Sequence, residues 1–202
     1  MPSKSFFRRD FLRTSLTGAA LALLPAPLLA LSESRARALI DKVIGEINGV
    51  IASNSPEAAK IRDFERIFVR YADVPIMARY VLGVDGRSAS AAQMRAFTQA
   101  FQGYIANKYG RRFREFVGGE ITFRSARKIK AGYEIRTTAN LRGQAPFEVT
   151  FLVSDKSGKD LFFNMFIEGV NMLLTERTEI GAMLDKRGGN LDQLISDLSR
   201  MS

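Results

Sequence analysis

The residue types that most often carry enzyme chemistry are rare in this chain of 202 residues. It contains no histidine and no cysteine, which excludes the usual general base, thiol nucleophiles, thiolate metal sites and disulfides. The remaining candidate for acid–base chemistry is Glu168, which follows a strongly apolar run. A carboxylate buried there would suit proton transfer. The alternative is a structural role in which Arg177 on the next helix pairs with it.

No other chemical motif supports the catalytic interpretation of Glu168. The sequence has no second carboxylate close by, no glycine loop that could hold a phosphate, no cluster of metal ligands and no nucleophile elbow. We therefore predict that Glu168 is structural, that the protein binds no metal or cofactor, and that it is not an enzyme. A small isomerase that uses Glu168 is the enzymatic alternative.

Basic residues form the second group of candidates. The formal net charge is +9 and the isoelectric point is about 10.1. One cluster follows the end of a predicted long helix and continues into the first predicted strand and turn: Arg111, Arg112, Arg114, Arg124, Arg127, Lys128 and Lys130. These side chains could contact anionic lipid head groups, at about 1 kcal/mol per residue. They could equally be a solvated surface whose cations complement the negative end of the helix.

Large apolar side chains form the third group, at spacings that place them on one face of a helix or strand. They could form the wall of an apolar pocket, and the candidates are Phe97, Phe101, Tyr104, Ile121, Phe123, Ile135, Phe151, Met165 and Ile167. The same spacing is typical of an ordinary packed core. The pattern alone does not separate a filled core from a lined pocket.

The elements that must position these residues are helical at both ends of the chain. Periodic apolar residues predict helices over 34–52, after the Ser55-Pro56 cap, over 74–82 and over 172–186. Ser90 and Gln93 form a capping box that begins a long helix carrying Phe97 and Phe101. A final helix follows the cap at Asn190.

The middle of the chain has the alternating pattern of β-strands. Apolar and polar residues alternate over 121–124, 133–141 and 147–153, and 161–170 is a denser apolar run. The short connections between them favour antiparallel pairing. We therefore predict an α+β fold: a curved antiparallel sheet of about four strands wrapped by helices, with an apolar pocket between sheet and helices.

Residues 1–32 have the features of an export signal. Residues 7–13 read FRRDFLR, which is typical of a twin-arginine signal. The apolar stretch 16–24 is too short to span a bilayer as a helix, and cleavage is expected after Ser32 or after Ala30. Removing residues 1–32 takes away four positive charges and one negative charge, so the net charge falls from +9 to +6. Residues 33–202 would then form a single exported domain, for which nucleic acid is not an expected partner.

Several segments together resemble the MlaC, or toluene-tolerance, family. The family pattern is D-[VI]-x-I-E-G-[VI]-S, then a helix with a central arginine, then G-x-x-x-L-I. The corresponding segments here are NMFIEGVN (164–171), MLLTERTEI (172–180) and GGNLDQLI (188–195). Upstream, MARYVLG (77–83) and QMRAFTQAF (93–101) also fit. The resemblance covers about residues 40–200, with Asn164 and Asn171 where the family often has Asp and Ser.

The resemblance implies a periplasmic carrier that buries the acyl chains of a phospholipid in a deep apolar pocket. Such a protein exchanges lipid between an outer-membrane lipoprotein complex and an inner-membrane ABC transporter complex, which maintains outer-membrane lipid asymmetry. No bond chemistry is needed, which agrees with the missing histidine and cysteine. Another envelope lipid such as a hopanoid is an alternative cargo. An envelope adaptor with a solid core is an alternative function.

Overall fold

The computed structural model of the protein describes residues 30–111, 119–141 and 143–202. These residues form an α+β fold, as the sequence predicts. The helices are α1 (Glu33–Ala52), α2 (Glu57–Tyr71), α3 (Val74–Leu82), α4 (Ala91–Gly110), α5 (Met172–Lys186) and α6 (Leu191–Arg200), with a short 3-10 helix at Asp85–Arg87. The strands are β1 (Glu120–Ile129), β2 (Gly132–Asn140), β3 (Phe147–Ser154), β4 (Leu161–Ile167) and β5 (Val170–Asn171).

Two sequence predictions fall partly or wholly outside the described residues. Nearly all of the predicted export signal precedes residue 30, and Arg112 and Arg114 of the basic cluster lie in the gap before residue 119. The division into a leader and one domain therefore stays a prediction. Within the described ranges, no helix combines the length and the apolar character needed to cross a bilayer.

The five strands form one antiparallel sheet in the order β1-β2-β3-β4-β5. The sequence predicts about four strands, because residues 161–170 read as one apolar run. The chain instead reverses within that run. Glu168 has a φ of 51° and Gly169 a φ of 79°, so Val170 turns back to pair with Ile167. A left-handed backbone at two successive residues ends a strand, and hydrophobic periodicity does not report it.

Two irregularities in strand pairing bend the sheet. One extra residue, Arg124, lies between the paired residues Phe123 and Ser125 of β1. A second, Phe163, lies between Phe162 and Asn164 of β4. Such bulges increase the local twist and reverse which side chains face the covered side of the sheet. The second bulge matters for the site, because it changes which residues of β4 face inward.

The helices cover one face of this sheet. Helix α1 packs against β1, β2 and β3, while α3 and α5 pack against β4. Helix α4 packs mainly against α2, α3 and α6. The predicted capping box is present: Ser90 Oγ accepts from the backbone N–H of Gln93, and Gln93 Oε1 accepts from the backbone N–H of Ser90. The predicted cap at Ser55 is wrong by one residue, since α2 follows Pro56 without a side-chain cap.

A pair of asparagines joins β4 to the start of α5. Asn164 Nδ2 donates to Asn171 Oδ1 at 3.0 Å, and Asn164 Oδ1 accepts from the backbone N–H of Leu173. Asn171 Oδ1 also caps α5 by accepting from the backbone N–H of Leu174. The MlaC pattern has an Asp at position 164 and a Ser at position 171. These two could make the same link in the opposite direction, with the Ser hydroxyl donating to the Asp carboxylate. The two departures from that pattern therefore compensate for each other.

This complementarity predicts a non-additive mutant pair. Asn164→Asp alone removes the donor, so Asn171 must either face a second acceptor or rotate its amide and lose the cap of α5. We expect the free energy of unfolding to fall by about 1–3 kcal/mol, as for a buried polar group left unpaired. Adding Asn171→Ser should restore most of that loss. Urea unfolding of the four proteins in the cycle measures the coupling, and strictly additive effects would contradict the compensation.

Candidate functional site

A cavity of about 380 Å³ lies between the covered face of the sheet and the helices around it. This volume is within the range of about 300–1,000 Å³ that is usual for small-molecule sites. The wall is mostly apolar. Its aromatic and aliphatic members include Ile47 of α1, Phe64, Ile67 and Phe68 of α2, Met77 of α3, Phe147 and Val149 of β3, and Met172 and Leu173 of α5.

Regular backbone geometry explains how α4 and β3 supply this wall. On β3, residues 147, 149 and 151 alternate with residues that face away, so their side chains share one side of the sheet. On α4, Phe101, Ile105 and Tyr109 recur every four residues and form one stripe, with Ala106 beside it. The sheet and the helix thus present apolar faces to each other across the cavity.

Five of the nine predicted wall residues line this cavity. They are Phe101, Ile121, Phe151, Met165 and Ile167. The bulge at Phe163 explains the set on β4, because Phe162 faces inward before the bulge, and Met165 and Ile167 face inward after it. The lipid-binding role of these residues remains a prediction.

The other four predicted residues lie outside the cavity wall. Phe97 is fully buried in the core, where its ring stacks on Phe101 with centroids 6.0 Å apart. Ile135 is fully buried on β2. The hydroxyl of Tyr104 donates to Glu179 at 3.2 Å, and the guanidinium of Arg37 covers the ring of half-buried Phe123. Helical and strand spacing placed them on the inner face correctly, but the inner face is larger than the cavity.

The sequence pattern missed several residues that the cavity uses. Phe162 is the clearest, because its ring forms an edge contact with Phe151 at 5.6 Å and a tilted contact with Phe68 at 6.1 Å. These three rings join β3, β4 and α2 on one side of the wall. Residues 161–163 are all apolar, so alternation could not have indicated which of them faces the cavity. The participation of Phe68 depends on how α2 packs, which its periodicity does not state.

The buried carboxylate of this site is Glu176, which the sequence analysis did not identify. Glu176 is on α5, its side chain is 2% exposed, and it belongs to the cavity wall. Its Oε1 accepts from Lys108 Nζ at 2.7 Å and from the hydroxyl of Tyr109. Lys108 also bonds Glu179 on the solvent side. We call Lys108, Tyr109 and Glu176 the polar cluster.

Burial controls the protonation of the hydroxyl groups near this cluster. Burial, together with the charge of Glu176, raises the pKa of Tyr104 to about 12. Burial and the hydrogen bond to Glu176 raise the pKa of Tyr109 in the same direction. Burial by itself would lower the pKa of Lys108, but its hydrogen bonds to Glu176 and Glu179 outweigh that effect and raise it. At neutral pH the lysine is therefore charged and both tyrosines are hydrogen-bond donors.

Glu168 does not have the surroundings that the sequence suggested. It lies in the turn between β4 and β5, at the edge of the cavity, and it is exposed to solvent. The expected pairing with Arg177 is wrong, since the Arg177 guanidinium lies over the ring of Tyr80 at 5.3 Å. A carboxylate in water is not placed for the buried proton transfer considered above. In the part of the chain that the structure describes, no group of three or more acidic residues could hold a metal ion.

The basic residues of β1 lie on an outer strand of the sheet, away from the cavity. Arg127 pairs with Glu134 of β2 through two hydrogen bonds, and the pairing lowers the pKa of Glu134. Arg124 donates to Thr138 at 2.7 Å. Charged residues on an edge strand discourage pairing with other chains. Contact of this cluster with lipid head groups remains a prediction.

The chain is similar to known proteins both in its sequence and in its fold. A family model described as "MlaC protein" matches residues 37–200. Among solved structures, the chain is similar to a phospholipid-binding protein from Ralstonia solanacearum, which was determined in complex with a phospholipid. The two have a TM-score of 0.68 and 16% sequence identity over 85% of this chain and 97% of the other. At that identity the likeness shows a shared fold.

Proposed function

This chain belongs to the MlaC family, and from that membership we propose that it is a periplasmic carrier that moves phospholipid between the outer and inner membranes. The observation that carries the proposal is the apolar cavity of about 380 Å³ between α4 and the sheet. The phospholipid named for the structural relative from Ralstonia solanacearum supports the same class of ligand.

The physical requirement for such a carrier is a water-free space for acyl chains. Each buried CH2 group is worth about 0.8 kcal/mol, so a phospholipid with two chains does not cross an aqueous space unaided. A wall of Phe, Ile and Met side chains offers acyl chains an environment similar to the membrane interior. No covalent step is involved, and we propose that the protein is not an enzyme. Transfer then requires only that the cavity open toward a membrane or a partner.

The proposed partners are an inner-membrane ABC transporter complex and an outer-membrane lipoprotein complex. The mature chain keeps a net charge of +6 whether the signal is cleaved after Ala30 or after Ser32, because Leu31 and Ser32 are uncharged. A basic surface favours encounter with acidic partners or anionic head groups. The exposed residues Arg124, Lys128 and Lys130 on β1 and the following turn are suitable for that role.

We further propose that a twin-arginine signal exports the chain and that processing occurs after Ala30 rather than after Ser32. Ser32 Oγ caps α1 by accepting from the backbone N–H of Arg35 at 3.2 Å. The backbone N–H of Leu31 donates to Asp155 at 2.8 Å. Cleavage after Ala30 keeps the cap and places the new terminal ammonium beside the Asp155 carboxylate. Cleavage after Ser32 removes both interactions.

Native mass spectrometry of the mature protein from an envelope extract tests the proposal. We expect one lipid per protein, identified after organic extraction, and an intact polypeptide mass that begins at Leu31. A bound hopanoid in place of a phospholipid would support the carrier function and identify a different lipid as its ligand. A protein that is purified without lipid, and stays without lipid after incubation with phospholipid vesicles, would contradict the carrier function and favour an adaptor with a solid core.

A further inference from the structure

One oxygen of the polar cluster is left without a partner inside the cavity wall. Glu176 Oε2 is buried, and it accepts no hydrogen bond from the residues that the structure describes. The other oxygen, Oε1, takes the bonds from both Lys108 and Tyr109. Buried carboxylate oxygens are nearly always hydrogen-bonded, because water has been removed and nothing replaces it. An unpaired acceptor at this position therefore indicates that a ligand supplies the donor.

Among the described residues, no neighbouring side chain donates to that oxygen. On α5, the wall residues one helical turn before Glu176 are Met172 and Leu173, which are apolar. The buried amide of Asn164, also in the wall, donates to Asn171. The hydroxyl of Tyr104 donates to Glu179. The two hydrogen bonds that Lys108 makes here go to Glu176 Oε1 and to Glu179, and neither reaches Oε2.

The position of Glu176 in the cavity agrees with a ligand that is partly polar. The wall residues Gln144, Ala145 and Glu168 are exposed, so this side of the cavity opens toward solvent. Glu176 is on the second turn of α5, and the two residues of β5 separate this helix from the turn that contains Glu168. An acyl chain that enters here places the polar part of its lipid near this opening. The polar cluster also reaches the surface, because Lys108, which is 29% exposed, links Glu176 to Glu179, which is 46% exposed.

We propose that Glu176 Oε2 accepts a hydrogen bond from the polar part of the bound lipid, and that the carrier therefore prefers lipids with a hydrogen-bond donor there. The inference rests on the carrier function proposed above and adds a selectivity to it. An ethanolamine ammonium or a glycerol hydroxyl group supplies the donor. A choline head group carries three methyl groups on its nitrogen and has no N–H or O–H to donate. It would leave the oxygen buried and unpaired, which is the usual basis of strong discrimination.

The test is competitive loading of the delipidated mature protein. Vesicles contain equal amounts of phosphatidylethanolamine, phosphatidylglycerol and phosphatidylcholine with identical acyl chains, and native mass spectrometry reads which lipid is retained. We expect at least one donor-bearing lipid to exceed phosphatidylcholine by about tenfold, as for a hydrogen bond to a charged group. The preferred lipid identifies the donor as ammonium or hydroxyl. Equal retention of all three would overturn the proposal, since a trapped water would then satisfy the oxygen.

Two variants assign the preference to this oxygen. Glu176→Gln keeps an acceptor for Lys108 and Tyr109 and replaces Oε2 by an NH2 group, so the preference should disappear. Glu179→Gln is the matched control, because Glu179 bonds the same Lys108 but is 46% exposed and is not part of the wall. A preference that survives in Glu176→Gln would overturn the assignment.

The outcomes separate this inference from the carrier function. Retention of phosphatidylcholine as strongly as the other lipids leaves a carrier without the selectivity, whereas failure to retain any lipid contradicts the carrier itself. The comparison of lipids on the unmodified protein does not depend on a variant. It decides the proposal even if Glu176→Gln fails to fold.

Discussion

Ala106→Trp is expected to abolish lipid retention while the protein stays folded. Ala106 is a buried residue of α4 whose small side chain leaves part of the cavity empty. An indole group at this position would occupy the space proposed for an acyl chain. It would bury its own surface of about 150–250 Å² against the existing Phe and Ile side chains. The wall is thereby filled rather than broken, so we expect at least a tenfold loss of bound lipid with little loss of stability.

Native mass spectrometry measures the bound lipid, and urea unfolding measures the stability. Ala96→Trp is the matched control, because it makes the same change on the same helix at a solvent-exposed position. That control should retain lipid at the wild-type level. If Ala106→Trp retains as much lipid as Ala96→Trp and is equally folded, then the cavity of about 380 Å³ is not the lipid site.

Phe97→Ala is expected to give the largest loss of stability, without loss of lipid from the folded protein. Phe97 is fully buried and stacks on Phe101, but it lies behind the cavity wall. Removing a buried phenyl ring leaves a void that the surrounding core cannot close, at a cost of about 3–5 kcal/mol in the free energy of unfolding. Domains of this size are stable by about 5–15 kcal/mol, so a folded population should remain.

Phe101→Ala is the comparison for this variant. Phe101 is one helical turn along α4 and forms part of the wall, so the same truncation should weaken lipid retention as well as stability. Urea unfolding gives the stability of each variant, and loading below the unfolding transition gives lipid per folded protein. Equal losses of lipid in the two variants would place Phe97 in the site and contradict the division between core and cavity.

This division shows how far the sequence reaches on α4. Its apolar spacing predicts both the helix and its buried side, and the capping box at Ser90 and Gln93 marks its first turn. Phe97, Phe101 and Tyr104 lie on that buried side alike. Of these three residues, only Phe101 lines the cavity. The packing of α4 on α2, α3 and α6 decides which of its buried side chains contact other side chains and which face the cavity. A void is a property of several elements together, and no single periodicity records it.

The strands likewise have some features that the sequence predicts and others that it does not. Alternation predicts β1, β2 and β3, and the shortness of the connections predicts their antiparallel pairing. The bulge at Phe163 and the left-handed turn at Glu168 and Gly169 were not predicted. Both depend on backbone dihedral angles within a mostly apolar run, residues 161–170, in which alternation is absent. They decide which side chains of β4 line the cavity and place Glu168 in solvent.

The polar cluster belongs wholly to the tertiary structure. Lys108 and Tyr109 end α4, and Glu176 is nearly 70 residues later on α5, in a helix whose other charged residues lie at its surface or edge. Composition excluded histidine and cysteine chemistry, and the order and spacing of the motifs between residues 77 and 195 indicated the family. Those features depend on residue type and local spacing, which the sequence states directly. The burial of Glu176 and its unpaired oxygen depend on which distant elements meet, and only the folded chain decides that.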